Sequence, residues 1–178
     1  MHEQEKLGEA KYFLQNMEAS LDDPAAFQYN LSAFLSAGRS VLQYAREEAV
    51  NKSNGQNWYE AQVSGNSVLK FFKDKRDINI HAEPVRATRQ ISVSITEHIE
   101  ISDSIRIEIH NKDGTVEVRE HEEEPPQANP QEGTAETEIR YVFRDWRGSE
   151  DVIHLARQYL AALENFVKVG LSNGIISG

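Results

Sequence analysis

The chain contains no cysteine. That absence excludes a disulfide framework, thiolate zinc sites, iron–sulfur clusters and a cysteine nucleophile, and it suits a reducing, cytoplasmic setting. Long apolar runs are also missing: nowhere do the roughly 18 apolar residues that a spanning helix needs follow one another. The first residues, Met1-His2-Glu3-Gln4-Glu5-Lys6, are polar and acidic and lead into no apolar stretch of the kind an export signal requires. No Gly-x-Gly-x-x-Gly or Walker sequence occurs, which removes the usual glycine-rich phosphate cradles, and no internal repeat is visible. A chain of this pattern is expected to stay off the membrane and to need no cofactor.

Positive charge is in short supply as well. The net charge is -10, which opposes broad attraction to nucleic acid and restricts any phosphate-bearing partner to a local basic patch. One such patch stands out, where Lys70, Lys73, Lys75, Arg76, Arg86 and Arg89 crowd a single stretch. At 178 residues the chain is the size of one domain and can bury a core without a metal or disulfide staple.

Leu7, Ala10, Leu14, Met17 and Leu21 recur every three or four residues, the stripe of an amphipathic helix. Asp23 is then suited to cap a second helix with Pro24 at its first position, and Phe27, Leu31, Phe34, Leu35, Val41, Leu42 and Ala45 give that helix a long apolar face to near Lys52. Ser53-Asn54-Gly55 breaks the pattern. Trp58, Ala61, Val68, Leu69 and Phe72 continue it as a third helix that ends near Ala82, before Pro84.

From Gln90 the period drops to two. Ile91, Val93 and Ile95, then Ile99 and Ile101, then Ile105, Ile107 and Ile109 alternate with polar residues, as strands with one buried face do. Asn111-Lys112-Asp113-Gly114 predicts a hairpin between Ile105–Ile109 and Val116–Val118. Residues 120–135 combine glutamates with proline, glutamine and glycine and are expected to form a mobile loop. Ile139, Tyr141 and Phe143 form a last strand. Ser149 is then expected to cap a fourth helix that buries Val152, Leu155, Ala156, Tyr159, Leu163 and Phe166 and ends at Asn173-Gly174.

These pieces predict an α+β, mainly α fold: a four-helix bundle with an antiparallel β-sheet inserted between helices three and four, and an α+β sandwich as the competing arrangement. The whole of 1–178 is expected to be a single domain, with three helices in 1–84, a β-rich insertion in 88–146 and the fourth helix in 149–174.

The third helix ends in Phe71-Phe72-Lys73-Asp74-Lys75-Arg76-Asp77-Ile78-Asn79-Ile80-His81. An arginine, a polar residue directly after it and a histidine five positions on resemble the Arg-x4-6-His motif of the HEPN superfamily, helical bundles that carry the motif near their third helix. The resemblance implies a homodimer in which both motifs face one cleft, and cutting of RNA without a metal. It assigns His81 to proton transfer and Arg76 to phosphate binding; Asp77 or Asn79 is expected to orient them, and Lys73, Lys75 and Asn79 are the candidate substrate-binding residues beside them, with Asp77 counted among the catalytic ones. An imidazole can act as acid or base near neutrality, and a guanidinium fork suits the charge of a phosphoryl transition state. Two histidines, one from each protomer, can share the two roles. The chain departs from the pattern in its Ala82-Glu83-Pro84 continuation and its β-rich insertion.

Helix geometry sets a condition on this chemistry. Residues five apart point roughly 140° away from each other, so Arg76 and His81 meet only if the helix ends between them or if two copies combine. The blander reading makes both of them partners of a helix C-terminus.

The same spacing recurs at Arg147 and His154, but there it precedes the fourth helix. His121 among Glu120 and Glu122–Glu124 reads as a solvated acidic run rather than a metal site, and His2, His98 and His110 read as exposed positions. Trp58 and Trp146 read as core anchors. A non-catalytic module that binds a protein partner through a sheet edge after Ile139 is the alternative function.

Overall fold

The computed structural model describes residues 2–81, 85–96, 104–122 and 134–177; within them, the side chains of 76–81, 95–96, 104–107, 120–122 and 134–136 lie outside the description. The fold is α+β and mainly helical, with small antiparallel sheets. Five helices occur among the described residues: α1 His2–Ala19, α2 Pro24–Ala49, α3 Gly55–Ser64, α4 Ser67–His81 and α5 Val152–Ser172. Four strands lie between α4 and α5 in sequence: β1 Thr88–Thr96, β2 Ser104–His110, β3 Val116–Glu122 and β4 Thr134–Val142. The chain divides into two compact units, Met1–Ile91 with Ile139–Gly178, and Ser92–Glu138.

The first unit is organised on α2, which touches all four other helices. Asp23 caps it as its sequence suggests, accepting from the Ala25 and Ala26 amides at 3.0 Å each, with Pro24 at the start. Its apolar face, from Phe27 to Ala49, is buried, and α5 lies so close that a Cβ on Gly38 would come within 2.5 Å of Tyr159 Cε1. α1 contributes Ala10, Leu14 and Met17 to the same core.

Two helices stand where one was expected between 55 and 82. Gly65 closes α3, and the Asn66 carboxamide accepts from the Val68 and Leu69 amides at 3.0 Å each, starting α4 afresh. The apolar period runs on through the break, which is why periodicity alone reads straight across it. α5 likewise begins later than expected. Asp151, not Ser149, is its N-cap and accepts from the His154 amide at 2.7 Å.

β1 and β4 pair in one two-stranded sheet, and β2 and β3 pair in another. The β2–β3 hairpin turns where expected, with Gly114 at φ +86° and the Asn111 amide donating to Thr115 O at 2.9 Å. β3 continues to Glu122 and β4 starts at Thr134, so both ends of the expected loop 120–135 lie in strands; residues 123–133 lie outside the described residues, as do Ile99 and Ile101.

Among the described residues the expected buried face is present on β4, where Tyr141 is in the core and Ile139 packs against it, and absent from β1 and the β2–β3 hairpin. Ile91 and Val93 are 55% and 58% exposed, and Val116 and Val118 are 52% and 44% exposed. The hairpin register explains part of this. Val118 opposes Glu108 and Val116 opposes His110, while Ile109 opposes Glu117 and position 107 opposes Arg119. Opposed residues share a face, so the isoleucine row and the valine row fall on opposite sides of the ribbon.

Phe72, fully buried, fills the space between α2 and α5, stacking on Tyr159 with ring centroids 4.5 Å apart. Phe72→Ala should cost about 3–5 kcal/mol of unfolding free energy. Urea denaturation followed by far-UV circular dichroism checks it.

Candidate functional site at the end of helix α4

α4 enters the core through Leu69 and Phe72. Phe72 meets Phe34 edge-on at 6.0 Å and Phe143 at 6.0 Å, and its neighbour Phe71 meets Trp146 at 4.8 Å. Those contacts fix the helix before the motif begins.

Lys75 serves this anchoring. Its ammonium lies 2.6 Å from Asp145 Oδ2 and 5.4 and 5.1 Å from the ring centroids of Phe71 and Phe143, and its side chain is only 13% exposed. Expected to bind substrate, it instead ties α4 to the segment after β4. Lys73 is half-buried, and Lys70 and Arg86 are exposed. None of these three makes an ion pair among the described residues, so within this stretch it is the charge of Lys75 that is offset, by Asp145.

The backbone of Arg76, Asp77, Asn79 and His81 belongs to α4, which continues unbroken through His81; their side chains lie outside the described residues. The first of the two conditions for Arg76 and His81 to meet is therefore not fulfilled. Positions 76 and 81 stand roughly 140° apart around one helix and about 7.5 Å apart along it. The same geometry groups the motif in two pairs: positions 77 and 81, four apart, share one face, and positions 76 and 79, three apart, share another.

The other candidates fall away from each other. Arg147 is exposed in the turn before α5 and His154 is exposed on the first turn of that helix. His110 lies 3.8 Å from Glu108 at the hairpin end, and His2 packs its ring on Tyr44 at 5.2 Å. His98, Glu123 and Glu124 lie outside the described residues, as do the side chains of Glu120, His121 and Glu122. Among the described residues no three His, Asp or Glu side chains come together as a metal would need.

Both tryptophans pack against the core: Trp58 on Phe166 at 5.0 Å, and Trp146 on Phe71. Trp146 also donates its indole N–H to Glu150 Oε2 at 2.9 Å. Sequence reading missed this arrangement around Phe71, Lys75, Asp145 and Trp146, because nothing local in the sequence links residue 71 to residue 146.

Comparison with family models, with curated proteins and with solved structures finds no match to the chain. The resemblance to the HEPN superfamily therefore stands on Arg76, Asp77 and His81 and on their place in the chain.

The hydrogen bond from Trp146, first, holds the Glu150 carboxyl below the ordinary glutamate range. A lowered folded-state pKa means that the bond's contribution is complete above the unfolded value and is lost as pH falls through the folded one. Trp146 fluorescence should accordingly shift in acid, below the usual carboxylate range. In Glu150→Gln that transition should vanish, as a fluorescence titration would show.

Proposed function

We propose that this chain is a HEPN-like protein that acts as a homodimeric, metal-independent endoribonuclease in the cytoplasm. In this reading α1, α2, the paired α3 and α4, and α5 are the four helices of the bundle, and the β-rich segment is an insertion between the third and fourth. The observation that carries it is the unbroken course of α4 through His81, which joins Asp77 to His81 on one face and Arg76 to Asn79 on another.

Each face has a coherent task. A carboxylate one turn before a histidine orients the imidazole and supports its protonated form, as in other acid–base pairs. An arginine beside an asparagine presents donors to a phosphate, with Lys73 nearby as a further cation. One protomer offers the two tasks in different directions, so two copies must face each other to close both around one phosphodiester. One His81 then accepts the proton of the attacking 2′-hydroxyl, and His81 of the partner subunit protonates the leaving 5′-oxygen. Arg76 meets the charge that builds on the phosphorus oxygens.

A second reading has its own support. Val116 and Val118 stand exposed on β3, a short strand whose outer edge is unpaired among the described residues, a surface suited to a protein partner that adds a strand. In that reading the chain is a non-catalytic interaction module.

Purified protein incubated with labelled RNA in EDTA separates the two. The ribonuclease reading predicts cleavage that falls by about 10²-fold or more in both Arg76→Ala and His81→Ala, with circular dichroism unchanged. No cleavage by the unaltered protein would leave the interaction module.

A further inference from the structure

A cleft of about 550 Å³ opens between α4 and the turn that follows β4, a size ordinary for small-ligand sites. Its walls are the half-buried rings of Phe71 and Trp146, with planes inclined at 66°. Trp146 is held in place by its bond to Glu150. Gly148 leaves room for that bond, since a Cβ there would come 1.8 Å from Glu150 Oε2 and 2.5 Å from Trp146 Nε1.

The rim has a definite charge pattern. Lys70 and Arg147 are exposed, and neither makes an ion pair among the described residues. The Asp145 carboxylate is already met by Lys75, which leaves Asp74 as the unmatched acid among the lining residues. Two exposed cations thus stand with one unmatched carboxylate on the rim, and the Glu150 carboxylate bonded to Trp146 balances the second, in a chain whose net charge is -10.

A fixed aromatic wall below and a mixed rim above suit a flat heterocycle that carries a phosphate and also donates hydrogen bonds. The base stacks on Trp146 and Phe71, Lys70 and Arg147 hold phosphate oxygens, and Asp74 accepts from an exocyclic amine or a ribose hydroxyl. The cleft also has a direction. Lys70 precedes Arg76 by six residues on the same helix, about 9 Å along its axis, within reach of a short single strand.

We infer that the Phe71–Trp146 cleft is a base-binding subsite for single-stranded RNA lying next to the Arg76–His81 segment. The inference rests on the ribonuclease reading of α4 and names its substrate class.

The test uses the full chain in a His81→Ala background, so that RNA stays whole, titrated in EDTA with short uridylate and adenylate oligonucleotides. Saturable quenching of tryptophan fluorescence is expected, and it should disappear in Trp146→Phe, where Trp58 alone reports from its place against Phe166. Lys70→Ala and Arg147→Ala, both at exposed positions, should each weaken the oligonucleotide by about tenfold. No saturable quenching, or an affinity unchanged by both cation variants, overturns the subsite. If that happens while cleavage in EDTA still depends on Arg76 and His81, the ribonuclease reading stands without it. Binding at the cleft without cleavage keeps the subsite and removes the ribonuclease.

Discussion

Phe72 is where α2, α4, α5 and the segment after β4 meet. Its ring stacks on Tyr159 at 4.5 Å and lies edge-on to Phe34 and Phe143, each at 6.0 Å. Because it sits only four residues before Arg76, the packing of one aromatic ring sets the direction in which α4 runs on into its polar end. Lys75 reinforces that direction through Asp145 and two rings. A charged residue that looks like a substrate contact in the sequence is thereby used to hold the helix. The chemistry available at the helix end is what remains once that anchoring is complete.

Much of the helical unit is legible in the sequence because its signals are local. Asp23-Pro24 and Asn173-Gly174 act at the helix ends where they stand, and Asp113-Gly114 turns the hairpin. The errors come from competition between signals of similar strength. Val68, Leu69 and Phe72 keep the helical period across Gly65-Asn66, so the break depends on the Asn66 side chain capping a new helix. Ser149 and Asp151 are both good caps, and the chain uses the second while Glu150 is engaged by Trp146.

Strands are harder to read for a physical reason. Alternation predicts that a strand exists, but the pairing register decides which rows share a face. In the β2–β3 ribbon that register sets isoleucines and valines on opposite sides, so period two does not produce a buried face there. The pairing of β1 with β4 joins segments nearly forty residues apart and leaves no trace in local composition. The Phe71–Trp146 cleft escapes a reading of the sequence for the same reason. By contrast, Arg76, Asp77 and His81 are close in sequence and can be singled out without any structure, although their relation in space depends on whether the helix continues through them.

That continuation is the centre of the proposed reading: positions 76 and 81 point apart on one helix, so the proposed site draws on two copies, with His81 of each. Mixing unaltered with His81→Ala protein tests this directly. If one site needs both histidines, only the dimers of two unaltered chains cleave, a quarter of those formed at equal concentrations. The mixture should then keep about a quarter of the cleavage rate of the same total concentration of unaltered protein. A mixture that keeps half of that rate, as independent protomers would, contradicts it.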